Sequence, residues 1–99
     1  MAENTDMIIK EEDTFILPEH VVLREEDNGA FLFNTITNAL KAVNETGRDI
    51  IQSLLKGSAF HAMIDQLMDT FEDVARIRVE DDAKKFIAQL TDQGYIIKK

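Results

Sequence analysis

Ninety-nine residues, 44% of them hydrophobic, with no cysteine, a net charge of −8 and no apolar run approaching a membrane span, describe one soluble domain with a single modest core. The composition excludes a disulfide framework and thiolate metal sites, and the segment MAENTDMIIKEED lacks the basic and then apolar pattern of a secretory signal, so a cytoplasmic setting without membrane contact is expected. The acidity is uneven, with nine acids and two bases in residues 1–28 against ten acids and nine bases in residues 29–99, and it opposes nucleic-acid phosphates.

Along the chain, residues 1–13 are polar and acidic and are expected to form a flexible N-terminal tail, leaving residues 14–99 as a single domain. TFILPEH mixes apolar residues with the sole proline, Pro18, and suits an edge segment. VVLREEDNGAFLFN predicts a β-hairpin, with Asn28-Gly29 suited to a type I′ turn. Alternation puts Phe31 and Phe33 on one face and Leu32 on the other, so both faces of that strand are apolar. A further strand over residues 39–43 follows the polar turn at Thr37-Asn38 and completes a three-stranded meander.

Three helices come next. Asn44 is placed to cap the first, Glu45 sits near its positive end, Ile50, Ile51, Leu54 and Leu55 form its stripe, and Gly57 can stop it in the left-handed conformation. Ser58 is in place to cap the second, whose stripe of Phe60, Met63, Ile64, Leu67, Met68 and Phe71 is the cleanest periodicity in the chain. EDVARIR reads as a connection, so the third helix is expected from Val79 or Glu80, with Glu80, Asp81 and Asp82 at its N-terminus and Ala83, Phe86, Ile87 and Leu90 facing inward. Gly94 ends it, and YIIKK can close the chain as a short strand. The expected class is α+β and winged-helix-like: a three-stranded antiparallel β-meander followed by three helices.

Catalytic chemistry is sparse. His61 and Asp65 stand one turn apart without a third ligand in helical reach, so a metal site is not expected. Ser53 and Ser58 lack the partners of a nucleophilic triad, and there is no glycine-rich phosphate loop. The residues point to no enzyme and no cofactor. They point to an exposed strand edge, which can accept a partner's strand.

LFNTITNALKAVNETGRDIIQSLLKG, continuing to FIAQLTDQGYI, resembles the PqqD family over about residues 20–97. The resemblance is carried by Phe33-Asn34, Val43-Asn44-Glu45-Thr46-Gly47, Ile50, Leu54-Leu55, Gly57, Phe86-Ile87, Leu90 and Gly94-Tyr95-Ile96, in that order. It implies a winged-helix precursor-peptide recognition element of ribosomally made, modified peptides. Such an element is a non-catalytic peptide chaperone that binds a leader by strand addition and presents it to a maturase such as a radical S-adenosylmethionine enzyme. The implied peptide-binding residues are Ala39, Leu40, Lys41, Ala42 and Val43 on the third strand, with Lys84, Ala88 and Thr91 on the third helix. Members serving coenzyme pyrroloquinoline quinone synthesis typically carry LYPEG-like and LNxSA-like segments. The LFNTITN and VNETG found here imply another peptide. A DNA-binding regulator and an accessory subunit of a larger enzyme are the alternative readings, and the open ribbon edge admits either a monomer or a strand-exchanged dimer.

Overall fold

The structure is a computed structural model and describes residues 8–99. Its elements in chain order are β1 (Phe15–Ile16), β2 (Val21–Glu26), β3 (Gly29–Asn34), β4 (Leu40–Asn44), α1 (Glu45–Leu55), α2 (Phe60–Thr70), α3 (Arg76–Asp92) and β5 (Ile97–Lys98). β2, β3 and β4 form an antiparallel meander in that spatial order, and three helices follow, giving the expected α+β, winged-helix-like arrangement. Beyond what the strand patterns imply, β1 and β5 pair with each other as a second, two-stranded sheet joining the two ends of the domain. No described helix is long and apolar enough to cross a membrane.

One face of the meander closes on the helices. Val21, Ala30 and Leu32 are buried on it, in a core shared with Ile51, Met63, Ile64, Ile87 and Leu90, all buried. Each of these side chains larger than alanine stabilises the fold by about 1.5–3 kcal/mol when removed from water. Alternation places Val22, Phe33 and Leu40 in one cross-strand row on the outer face, with Arg24, Phe31 and Ala42 in the next. Only the inner face packs against helices, so the outer aromatic residues stay half-buried.

The first hairpin differs from the expected turn. Glu26 pairs with Gly29, which makes Asp27 and Asn28 the loop residues, and neither takes the positive φ that a type I′ turn requires. Gly29 is instead a strand residue required for close approach: a Cβ there would overlap the carbonyl oxygen of Val43 on β4. The turn from β3 to β4 is held by Asn34, whose Oδ1 accepts from the amides of Ile36 (2.9 Å) and Thr37 (3.1 Å), while Asn38 takes a left-handed φ of 66°.

Asn44 ends β4 and caps α1, its Oδ1 accepting from the Gly47 amide at 2.8 Å. Ser58, by contrast, does not cap α2. The cap position is Ala59 with no side-chain bond, and the N-terminal segment supplies the acceptors. The carbonyls of Asp13 and Glu11 receive the Phe60 and His61 amides, each at 2.9 Å.

Of the tail expected over residues 1–13, residues 1–7 lie outside the described residues. In the described part Ile9 is 7% exposed and belongs to the core cluster, and Asp13 forms an ion pair with Lys98 at 3.3 Å.

α3 starts at Arg76, several residues earlier than its acidic triplet suggested. Arg76 donates to Asp65 on α2 at 2.8 Å and to Glu80 one turn on at 3.0 Å. The additional turn also carries Val79 into the core, where it is 5% exposed. Glu80, Asp81 and Asp82 therefore occupy the second turn, and Glu80 serves as an ion-pair partner of Arg76.

Candidate peptide-docking edge

β4 pairs with β3 on one side, and no other strand pairs with its second edge among the described residues. The hydrogen-bond pattern settles which peptide groups that edge displays. The Asn34 amide donates to the Ala39 carbonyl at 2.9 Å, so the opposed residues 34 and 39 form a hydrogen-bonded pair. In an antiparallel ladder such pairs alternate, which makes Leu32–Lys41 and Ala30–Val43 hydrogen-bonded as well. Lys41 and Val43 turn their N–H and C=O toward β3, whereas those of Leu40 and Ala42 point outward. The exposed edge therefore repeats every second residue.

The side chains of β4 divide in the same way. Val43 packs against the core and Lys41 is half-buried on the same inner face, beside fully buried Leu32. Leu40 is 61% exposed, and Ala42 and Asn44 are exposed with it. The β4 edge thus has an apolar outer flank and an inner flank turned toward the helices.

At the C-terminal end of β4 lies a cavity of about 410 Å³. It is lined by Asn44 at the end of β4, Gly47 of α1, Leu67 of α2, Phe71 just beyond it, and Asp82 and Phe86 of α3. Gly47 is needed for this junction, because a Cβ there would come 2.9 Å from Phe86 Cζ and 3.1 Å from Val43 Cβ. Phe86 is thereby the α3 residue set against the Val43–Gly47 junction, and Asp82, one turn earlier, lines the same cavity.

The residues anticipated on α3, Lys84, Ala88 and Thr91, do not line this cavity. Lys84 Nζ lies over the Phe60 ring of α2, 5.8 Å from its centroid. Ala88 is buried at 5% exposure, and the Thr91 hydroxyl donates to the Ile87 carbonyl at 2.8 Å. Ala39, Leu40, Lys41, Ala42 and Val43 fall together on or beside the free edge, but Lys84 faces α2. In the sequence Phe86 carries only the mark of a core residue, and Asp82 only that of a helix N-terminus. Among the described residues, no group of three or more His, Cys, Asp or Glu side chains is arranged to hold a metal ion.

The geometry has counterparts. The family model for coenzyme PQQ synthesis protein D (PqqD) matches residues 19–96, from just before β2 to just before β5. The structure is similar to TbiB1 in complex with the TbiA(beta) leader peptide, with a TM-score of 0.75, 21% identity, and coverage of 81% of this chain and 92% of that one. It is also similar to lasso peptide synthetase B1 complexed with the leader peptide, with a TM-score of 0.77, 24% identity, and coverage of 84% and 96%. At these identities the likeness establishes a shared fold. No curated protein matches the chain in sequence.

Proposed function

This chain belongs to the PqqD family, and from that premise we propose that it is a non-catalytic adaptor that binds the leader of a ribosomally made precursor peptide and presents it to a modifying enzyme. The observation that carries the reading is the open edge of β4, where the peptide groups of Leu40 and Ala42 point outward and whose last residue, Asn44, lines a cavity together with Phe86. A leader added there as a fourth strand would take its register from those groups and seat an apolar side chain in the cavity. The two structural neighbours in complex with leader peptides support the same reading. The modifying enzyme supplies the chemistry, and a radical S-adenosylmethionine maturase is the partner type we favour, in a cytoplasmic setting.

The peptide-contacting residues we propose are Ala39 to Val43 together with Phe86 and Asp82. Main-chain bonds at a strand edge fix register, and the flanking pockets fix selectivity. The test is titration of isotope-labelled protein with the precursor peptide encoded near its gene. Amide shifts are expected to concentrate on residues 39–44, the start of α1 and the Asp82–Phe86 turn. Shifts confined to the β1–β5 sheet, or none at saturating peptide, would overturn the assignment.

A further inference from the structure

An open strand edge accepts any strand, including its own copy, so something on β4 has to decide what pairs with it. Lys41 is the one charged residue on β4. It is half-buried on the inner face, opposite fully buried Leu32, and takes part in no ion pair among the described residues. All the cross-strand neighbours of Lys41 on that face are uncharged: Leu32 directly opposite, with Ala30 and Asn34 diagonal. A cationic side chain rooted at that position, on the strand with the free edge, is the first charge that an added strand meets.

We propose that Lys41 sets the selectivity of the edge, disfavouring a second copy of this chain and favouring a ligand strand that places a carboxylate opposite it. Consider two β4 strands paired antiparallel through their outward groups. In one register Lys41 stands directly opposite the other copy's Lys41. In the next it faces Val43, and the two lysines become diagonal neighbours at about 7–8 Å. In both cases two lysine side chains of like charge share one face. A ligand strand bearing Asp or Glu at the opposed position neutralises the charge. The overall charge of −8 repels such a ligand at a distance, but that field is screened within about 8 Å at physiological salt, leaving the local pair to decide. The carboxylate preference rests on the peptide-docking reading, while the barrier to self-pairing does not.

The test uses the full chain, its Lys41→Val and Lys41→Glu variants, and three synthetic eight-residue peptides of alternating Val and Thr with Glu, Gln or Lys at one central position. Valine is a strong strand former, so Lys41→Val keeps the strand. Wild-type protein is expected to sediment as a monomer at a concentration where Lys41→Val forms a dimer, and adding Ala42→Pro to Lys41→Val should restore the monomer. Wild type should bind the Glu peptide about fivefold more tightly than the Lys peptide, as expected for a cross-strand charge pair, and Lys41→Glu should reverse the order. A Lys41→Val chain that stays monomeric, or a wild type that already dimerises through β4, overturns the barrier. An unchanged peptide ranking in Lys41→Glu overturns the selection. Absence of binding to all three peptides, with the sedimentation result intact, counts against peptide docking and leaves the barrier standing.

Discussion

Two peripheral strand systems handle their backbone groups in opposite ways. At the β1–β5 end, the Lys99 amide donates to Thr14, and the carbonyls of Glu11 and Asp13 take the first amides of α2. Phe15, inside this clamp, is 1% exposed. At the β4 end, the peptide groups of Leu40 and Ala42 face outward and the side chains of these two residues are exposed. The first region uses its backbone to close the fold, and the second holds it in reserve. Stability and ligand capture should therefore be separable by mutation.

The largest effect is expected from Phe15→Ala, which empties a fully buried site in the clamp and should lower unfolding free energy by about 3–4 kcal/mol. Denaturant unfolding measures this, and peptide affinity of the folded fraction should be unchanged. Proline on β4 makes the reciprocal experiment. Val43→Pro removes an inward ladder donor and should destabilise by about 2–3 kcal/mol. Ala42→Pro removes an outward one and should leave stability within about 1 kcal/mol, while peptide affinity falls on the order of tenfold to a hundredfold. Equal destabilisation by the two prolines would erase the distinction between ladder and edge.

Phe86→Ala should have the next effect, on both properties at once, because that ring packs on the core and walls the cavity. Stability should fall by about 2 kcal/mol, less than for a fully buried ring, and peptide affinity should fall with it. Isothermal titration alongside thermal unfolding separates the two losses.

The smallest effect belongs to Asp13. Its carboxyl is held below its ordinary value of 3.8, chiefly by the backbone amide of Lys10 and further by Lys98. A depressed folded-state pKa contributes stability above the unfolded value and loses it as pH falls through the folded one. Asp13→Asn should therefore lower the melting temperature slightly at neutral pH, with the difference from wild type closing as pH falls below 3.8.

How much of this was legible in the sequence follows from the range of each interaction. Asn44 and Gly57 could be read as cap and stop because capping is local, and the α2 stripe because helical spacing is local too. The meander was legible because its strands are consecutive. The cap of α2 was not, since its acceptors lie almost fifty positions upstream. The early start of α3 depends on Arg76 reaching Asp65 across a helix pair. The β4 edge could be placed from its strand alone. The α3 wall beside it could not, because helical periodicity identifies an inward stripe without saying which flank meets which neighbour. Lys84 and Phe86 stand on opposite sides of that stripe, and only their contacts, with Phe60 and with the Gly47 junction, distinguish them.

The borrowed cap on α2 has a kinetic meaning. The first amides of most helices exchange with solvent through fraying of the helix itself. Here the Phe60 and His61 amides are bonded to the carbonyls of Asp13 and Glu11, so their exchange with deuterium reports the lifting of the N-terminal arm. These two amides act as a clock for that detachment. If the arm opens as a unit, they should exchange at matching rates, set apart from those of the α2 interior.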